Sequence, residues 1–174
     1  MPNVTAFSDM LAAARHCAVH LEMRDSYGIA AEAAEFEQFQ TTGVHPDLDP
    51  EGMGWSGWVS MVRAAVARGV VVRRARIVSE PVTDYIRYEH AGTVVNLAAG
   101  EQVRWLPRRR ASDLALPGND FWLFDNTIVR FNHFTGDGAS AGPEMCGDPA
   151  VAKLCETAFE AVWERAVPHE QYTV

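Results

Sequence analysis

The sequence predicts an α/β fold, a mixed sheet flanked by helices in a single domain spanning residues 1–174. Three observations carry this. Between Trp55 and Leu106 the pattern runs helix, strand, helix, strand, the order of layered folds with some parallel pairing. The stretch Gly118 to Gly138, GNDFWLFDNTIVRFNHFTGDG, then places two strand signals on either side of a tight turn and is the expected centre of the fold. Finally, 174 residues at 48% hydrophobic suffice to bury one sizeable core and make a second unexpected.

The elements follow in order. Thr5 to about Val19 is Ala-rich with apolar residues at helical spacing and Ser8 or Asp9 as cap, so a short helix is expected, and its loose attachment as an N-terminal helix over residues 1–20 is left open. Ala18 to Met23 alternates Val19, Leu21 and Met23 with His20, Glu22 and Arg24, the two-residue period of a strand. Ala30 to Gln40 returns to helix formers, and Thr41 to Gly57 is punctuated as a loop. Trp55 to Arg68 recurs apolar at three and four and stops at Gly69. Val70 to Val78 is β-rich, Val82 to Ala99 is a helix entered after Pro81 and closed by Gly100, and Gln102 to Leu106 is a short strand. Arg108 to Gly118 reads as a loop or strand edge. Phe121 to Phe124 and Thr127 to Phe134 form the hairpin about Asp125-Asn126, Thr135 to Pro149 reads as an exposed connection, and a last helix opens at Asp148 or Pro149 and ends by Pro168.

Composition excludes several function classes. The three cysteines, Cys17, Cys146 and Cys155, have no CxxC or Cys/His spacing, so neither a disulfide framework nor a zinc site is indicated, and free thiols in a reducing cytoplasm are expected. No run approaches the about eighteen apolar residues of a membrane helix, and the N-terminus lacks the basic and apolar stretches of a signal peptide. Net charge is −8, unevenly placed: residues 1–58 hold nine acids and two bases, residues 59–112 four acids and ten bases, residues 113–174 ten acids and three bases. Acidity overall disfavours direct binding to nucleic acid.

No GxSxG, GxxxxGK[ST], GxGxxG or HExxH occurs. His16 and His20, four apart with Glu22 nearby, have the spacing of metal ligands on one helix face, but without a clear third ligand they are read as surface residues, and no metal or cofactor is expected. Arg104 and the run Arg108 to Arg110 are the densest positive charge, an anion clamp or a solvated loop paired with the acidic flanks. Arg87 and Glu89, beside Tyr85 and Tyr88, line a pocket or staple their helix to the Arg104 to Arg110 segment, with the staple preferred. Asp113, Asp120 and Asp125 are acid or ligand candidates, Asp125 being explained equally well by its turn.

The runs VRRARIVSEPVTDYIRYEH, AAGEQVRWLPRRRASDLALPGNDFWLFDNTIVRFNHFTGDG and AFEAVWERAVPHEQY resemble DUF6879, an actinobacterial family, from Leu21 to the C-terminus. That resemblance implies a cytoplasmic accessory protein, encoded beside helix-turn-helix regulators and acting in transcriptional control. Gly118 to Val129 is also similar to the strand pair carrying the H-x-K-x-x-x-x-D motif of phospholipase D-like domains, which implies a phospholipase D-like half. With Asp125 on the motif's Asp, Asp120 falls where the Lys belongs and Gly118 where the His belongs. Phosphoryl transfer needs an attacking imidazole and a supporting ammonium, so the resemblance implies a scaffold without its catalyst.

The expected function is therefore a non-catalytic interaction or sensor domain with a protein partner, a helix-turn-helix regulator being the candidate and a homodimer left open. The alternative is an enzyme or binder for a phosphorylated or anionic small molecule, with a site built from Arg87, Glu89, Arg104, Arg109, Asp120, Asp125 and His133.

Overall fold

Residues 6–174 are described by a computed structural model; the expected helix start at Thr5 lies outside them. A seven-stranded sheet runs through the molecule in the order β6-β5-β4-β1-β2-β3-β7. The strands β1 (Cys17–Glu22), β2 (Val71–Val78) and β3 (Gln102–Pro107) are parallel neighbours. The strands β4 (Asp120–Phe124), β5 (Ile128–Phe134) and β6 (Ser140–Cys146) continue antiparallel beyond β1, and β7 (Val167–Pro168) closes the other edge on β3.

Side-chain alternation divides this sheet into two unlike faces. On one, Val19, Leu21, Ala75, Ile77, Phe121, Leu123 and Val129 meet Ala152, Cys155, Phe159 and Val162 of the helix α5 (Pro149–Arg165) in a dry core. The other is covered by α1 (Phe7–Ala13), α2 (Ala33–Thr42), α3 (Ser56–Ala67) and α4 (Asp84–Ala99). Around α1 and α3, Leu11, Val59, Val62 and Ala65 pack on Ala18, Val72, Trp122 and Phe124, and beside α4, Tyr85, Ile86 and Tyr88 gather with Val78, Val103 and Trp105.

The local chemistry explains the boundaries. Thr83 caps α4 by accepting from the Ile86 N–H, and Gly100 at φ 98° ends it, a left-handed conformation that glycine adopts without cost. Asp148 caps α5 in the same way, with Pro149 at its first turn. The hairpin between β4 and β5 turns on Asp125 and Asn126, at φ 48° and 55°, as a two-residue turn matched to strand twist requires.

Several expectations are corrected. The first helix ends at Ala13, and residues 17–20 belong to the sheet's central strand, so His16 and His20 share no helix face. The Gly-, Ser- and Pro-rich stretch after Thr135 contains β6, an edge strand that tolerates Pro143 because its outer side needs no partner. Val167–Pro168 adds the short β7.

Candidate functional site

The helix-covered face is polar where β1, β2 and β4 lie side by side. His20 and Glu22 on β1, Arg74 and Arg76 on β2, and Asp120 on β4 occupy alternate strand positions, and the one-to-one register puts them on one patch. Arg74 bonds Glu22 (2.6 Å) and Glu101 (2.7 Å), and Arg76 pairs with Glu22 (2.5 Å) and with Glu89 of α4 (2.6 Å). Glu101 takes a further bond from Asn96 at 2.8 Å. Burial pushes the Glu22 carboxyl up, but the Arg76 and Arg74 guanidiniums beside it overcome this and hold it well below its usual range. Burial likewise disfavours charge on Arg74, yet Glu101 and Glu22 keep its proton bound more firmly than usual. Both arginines are thus consumed within the fold.

Above this floor lies a cleft of about 400 Å³ lined by Glu32, Glu35, His45, Trp55, Trp58, Tyr88, Glu89 and Gly92 among others. A recess of about 200 Å³, which shares Glu32, Arg74 and Glu89 with the cleft, reaches toward Tyr27, Asp120 and Asn132. Three carboxylates here bond tyrosine hydroxyls and no guanidinium: Tyr85 donates to Glu32 (2.8 Å), Tyr88 to Glu35 (3.2 Å) and Tyr27 to Asp120. Burial, with Glu89 adding repulsion, pushes Glu32 up to about 7. Burial also pushes Asp120 up to about 6, although the Tyr27 hydroxyl and the Met23 N–H both donate to it.

His45 stacks on Tyr88 at 4.5 Å and is 7% exposed. Its Nδ1 accepts from the Asp47 N–H at 3.3 Å, which leaves the ring proton on Nε2. Nε2 passes close to α4 because Gly92 has no Cβ; one placed there would lie 3.0 Å from it. His20, stacked on Trp122 at 4.3 Å, is held neutral first by burial. Its Nδ1 lies 3.3 Å from Glu22 Oε1 but has no hydrogen bond of acceptable geometry.

Of the seven candidates read from the sequence, the structure brings Glu89 and Asp120 to this cleft and recess. Arg87 is exposed and pairs with Asp84 of its own helix. Arg104 lies over the Trp163 ring at 4.4 Å near the β3 edge. Arg109 is exposed on the short turn after β3. His133 pairs with Glu144 of the edge strand at 3.0 Å. Asp125, at the hairpin tip, accepts from the N–H groups of Arg15 (2.9 Å), His16 (2.7 Å) and Cys17 (3.0 Å), tying the hairpin to the start of β1. Asp113 pairs with Arg165. The expected staple to the Arg104 to Arg110 segment is not found at Arg87 or Glu89: Glu89 pairs with Arg76 on β2, and Arg108 clasps Met23, Asp25, Ile77 and Ser79. Sequence reasoning set His20 and Glu22 aside as surface residues, whereas His20 is 7% exposed, and it did not single out Glu32, His45, Arg74, Arg76 or Glu101. The available signal was the polar residues at period two in His20-Leu21-Glu22 and Arg74-Ala75-Arg76, inside otherwise apolar strands.

Among the described residues no group of three or more His, Cys, Asp or Glu side chains is placed to hold a metal ion, and no helix is long and apolar enough to cross a membrane. A mixed sheet with helices on both faces and an aromatic hairpin beside its central strand makes this an α/β layer fold. The chain belongs to the DUF6879 family, described as a domain of unknown function, whose model matches residues 5–174. Among solved structures it is similar to NucT from Helicobacter pylori, with 12% identity and a TM-score of 0.52 over 92% of this chain and 87% of that one. Nuc from Salmonella typhimurium, described as a phospholipase D family member, matches at 14% identity and TM-score 0.48 over 92% and 86%. TrmBL2, described as an archaeal chromatin protein with a novel mode of DNA binding, matches at 14% and 0.49 over 92% of this chain and 48% of its own, so the present chain spans about half of it. These identities establish a likeness of fold alone. No curated protein matches the chain.

Proposed function

We propose that this domain is a non-catalytic sensor: it binds a small ligand in the cleft beneath α4 and passes the state of that cleft to a protein partner in the cytoplasm. The observation that carries the reading is Asp120. At the position where a phosphodiester-cleaving site needs an ammonium, this chain has a buried carboxylate bonded to Tyr27, and no imidazole stands at Gly118. The anionic-ligand alternative loses support because Arg74 and Arg76, the arginines that line the cleft, are already engaged by Glu22, Glu89 and Glu101. The helix-turn-helix regulator remains the candidate partner on the strength of the family resemblance, and the net charge of −8 argues that any contact with DNA runs through that partner.

The test has two arms. Incubation with bis(p-nitrophenyl) phosphate, with and without divalent cations, is expected to release no nitrophenol above buffer; release abolished by Asp120→Asn would overturn the non-catalytic reading. Purification of the tagged chain from its own host at native levels, followed by mass spectrometry, is expected to recover one specific protein. Recovery of none would remove the partner from the reading.

A further inference from the structure

We propose that the cleft selects a compact organic cation, an ammonium that carries an oxygen acceptor. This rests on the reading of the domain as a non-catalytic binder and names the chemistry of its ligand.

The charge balance of the site sets the sign. Glu22, Glu89 and Glu101 face two arginines, so the ion-paired floor carries one carboxylate in excess. Glu32 and Glu35 line the same space and bond only tyrosine hydroxyls, and Asp120 does the same in the adjoining recess apart from one backbone N–H. An anion entering here meets unpaired carboxylates and no free guanidinium. A cation meets carboxylates that no guanidinium bonds directly. The upward push on Glu32 to about 7, caused by burial and then by Glu89, is the signature of that missing partner.

The walls set the class of cation. Trp55, Trp58, Tyr88 and His45 line the volume, the aromatic residue types that hold alkylammonium groups by cation–π attraction. A metal ion is a poorer fit, since the carboxylates stand around the cleft and no three ligating groups among the described residues converge. About 400 Å³ lies within the range of small-molecule sites.

An independent observation points to a bound molecule. His45 is 7% exposed, lines the cleft, and carries its proton on Nε2, where no described residue accepts it. Trp58, also in the lining, buries its Nε1–H without a partner. Buried donors are normally bonded, so the Trp58 N–H calls for an acceptor supplied from outside the chain, and the His45 N–H is a second donor on the same lining. The ligand therefore has an oxygen as well as a positive charge.

The test is isothermal titration of the full chain at pH 8 and low salt with choline and ethanolamine, with tetramethylammonium as the same kind of cation without oxygen, and with inorganic phosphate and AMP as anions. Choline or ethanolamine is expected to bind saturably, tetramethylammonium about fivefold or more weakly, as the loss of one hydrogen bond implies, and the anions not at all. Glu32→Gln/Glu35→Gln is expected to weaken binding about tenfold or more, while Glu37→Gln, on the exposed side of α2, leaves it unchanged. Circular dichroism and the melting temperature show that each variant folds, and quenching of Trp55 and Trp58 fluorescence gives a second readout. Binding of phosphate or AMP with no response to the amines overturns the proposal, as do amine binding indifferent to Glu32→Gln/Glu35→Gln and the absence of any amine binding. Each of these leaves the non-catalytic reading standing; hydrolysis of bis(p-nitrophenyl) phosphate would remove that reading without touching the cation site.

Discussion

Replacing Arg76 by Met tests whether the buried ion network is a structural cross-brace between β2 and α4. Arg76 is 5% exposed, pairs with Glu22 at 2.5 Å and Glu89 at 2.6 Å, and lies over the Trp105 ring at 5.0 Å. Met preserves much of the aliphatic stem, so the loss is electrostatic. Glu22 keeps Arg74, but Glu89 is left without a cation and faces Glu32, whose proton affinity it already raises. Stranding one member of a buried pair costs about 3–5 kcal/mol, which for a chain of this size lowers the melting temperature by about 6–20 °C. Urea denaturation with the slope checked for constancy measures it. Adding Glu89→Gln to Arg76→Met removes the stranded charge and is expected to restore about 2 kcal/mol or more. Arg73→Met is the control: three residues earlier on the same strand and on the α5 face, Arg73 pairs with the half-exposed Glu160, and losing that pair costs about 1 kcal/mol or less. A loss below about 1 kcal/mol for Arg76→Met, or a double variant no more stable than the single, would refute the cross-brace.

Three further outcomes are expected. Asp120 is 3% exposed and raised from 3.8 to about 6, first by burial, with Tyr27, Glu22 and Arg24 facing it; the folded state therefore holds a proton that the unfolded chain has lost, and stability falls as pH rises from about 4 through 6. Asp120→Asn should flatten urea midpoints across that window and be the more stable protein at pH 8 by about 2 kcal/mol, the free-energy equivalent of the shift discounted for relaxation. Asp125→Ala strips the acceptor from three consecutive N–H groups and should cost about 2–3 kcal/mol, with hydrogen exchange accelerated at residues 15–17. Cys155 is fully buried and its thiol is pushed up to about 11 by burial, so Ellman's reagent at pH 8 should label it only on unfolding.

How much of this was legible can be argued from particular residues. The helix α3, the strands β2 and β3, the hairpin and the helix α5 were readable because each carries its own signal: Val59, Val62 and Ala65 at helical spacing, the β-branched run of β2, Asp125-Asn126 between aromatic strands, Asp148-Pro149 as a start. The strand β6 was not, since Gly142 at φ 94° and Pro143 read as loop chemistry and only pairing with Asn132 and His133 makes them a strand. The site was harder still. Glu22, Arg74 and Glu101 lie 52 and 27 residues apart and meet only through the parallel register of three strands. Glu32 and His45 belong to a segment with no periodic pattern tying it to the sheet.

The two faces of the sheet separate what holds the fold together from what lines the cleft. Val19, Leu21, Ala75, Ile77, Phe121 and Leu123 pack against α5, while His20, Glu22, Arg74, Arg76, Asp120 and Trp122 alternate with them toward the cleft. Because successive side chains of a strand point to opposite sides, substitution on the cleft side leaves the α5 core in place. Asp120 sits on that side, outside the α5 core, and finds its local partner in the Tyr27 hydroxyl. The electrostatic consequence is large. A site built to stabilise negative charge needs an uncommitted cation, whereas here the arginines are locked to carboxylates and the uncommitted groups are Glu32, Glu35 and Asp120. The α5 face holds the sheet together, and the charge lining the cleft is set independently on the other face.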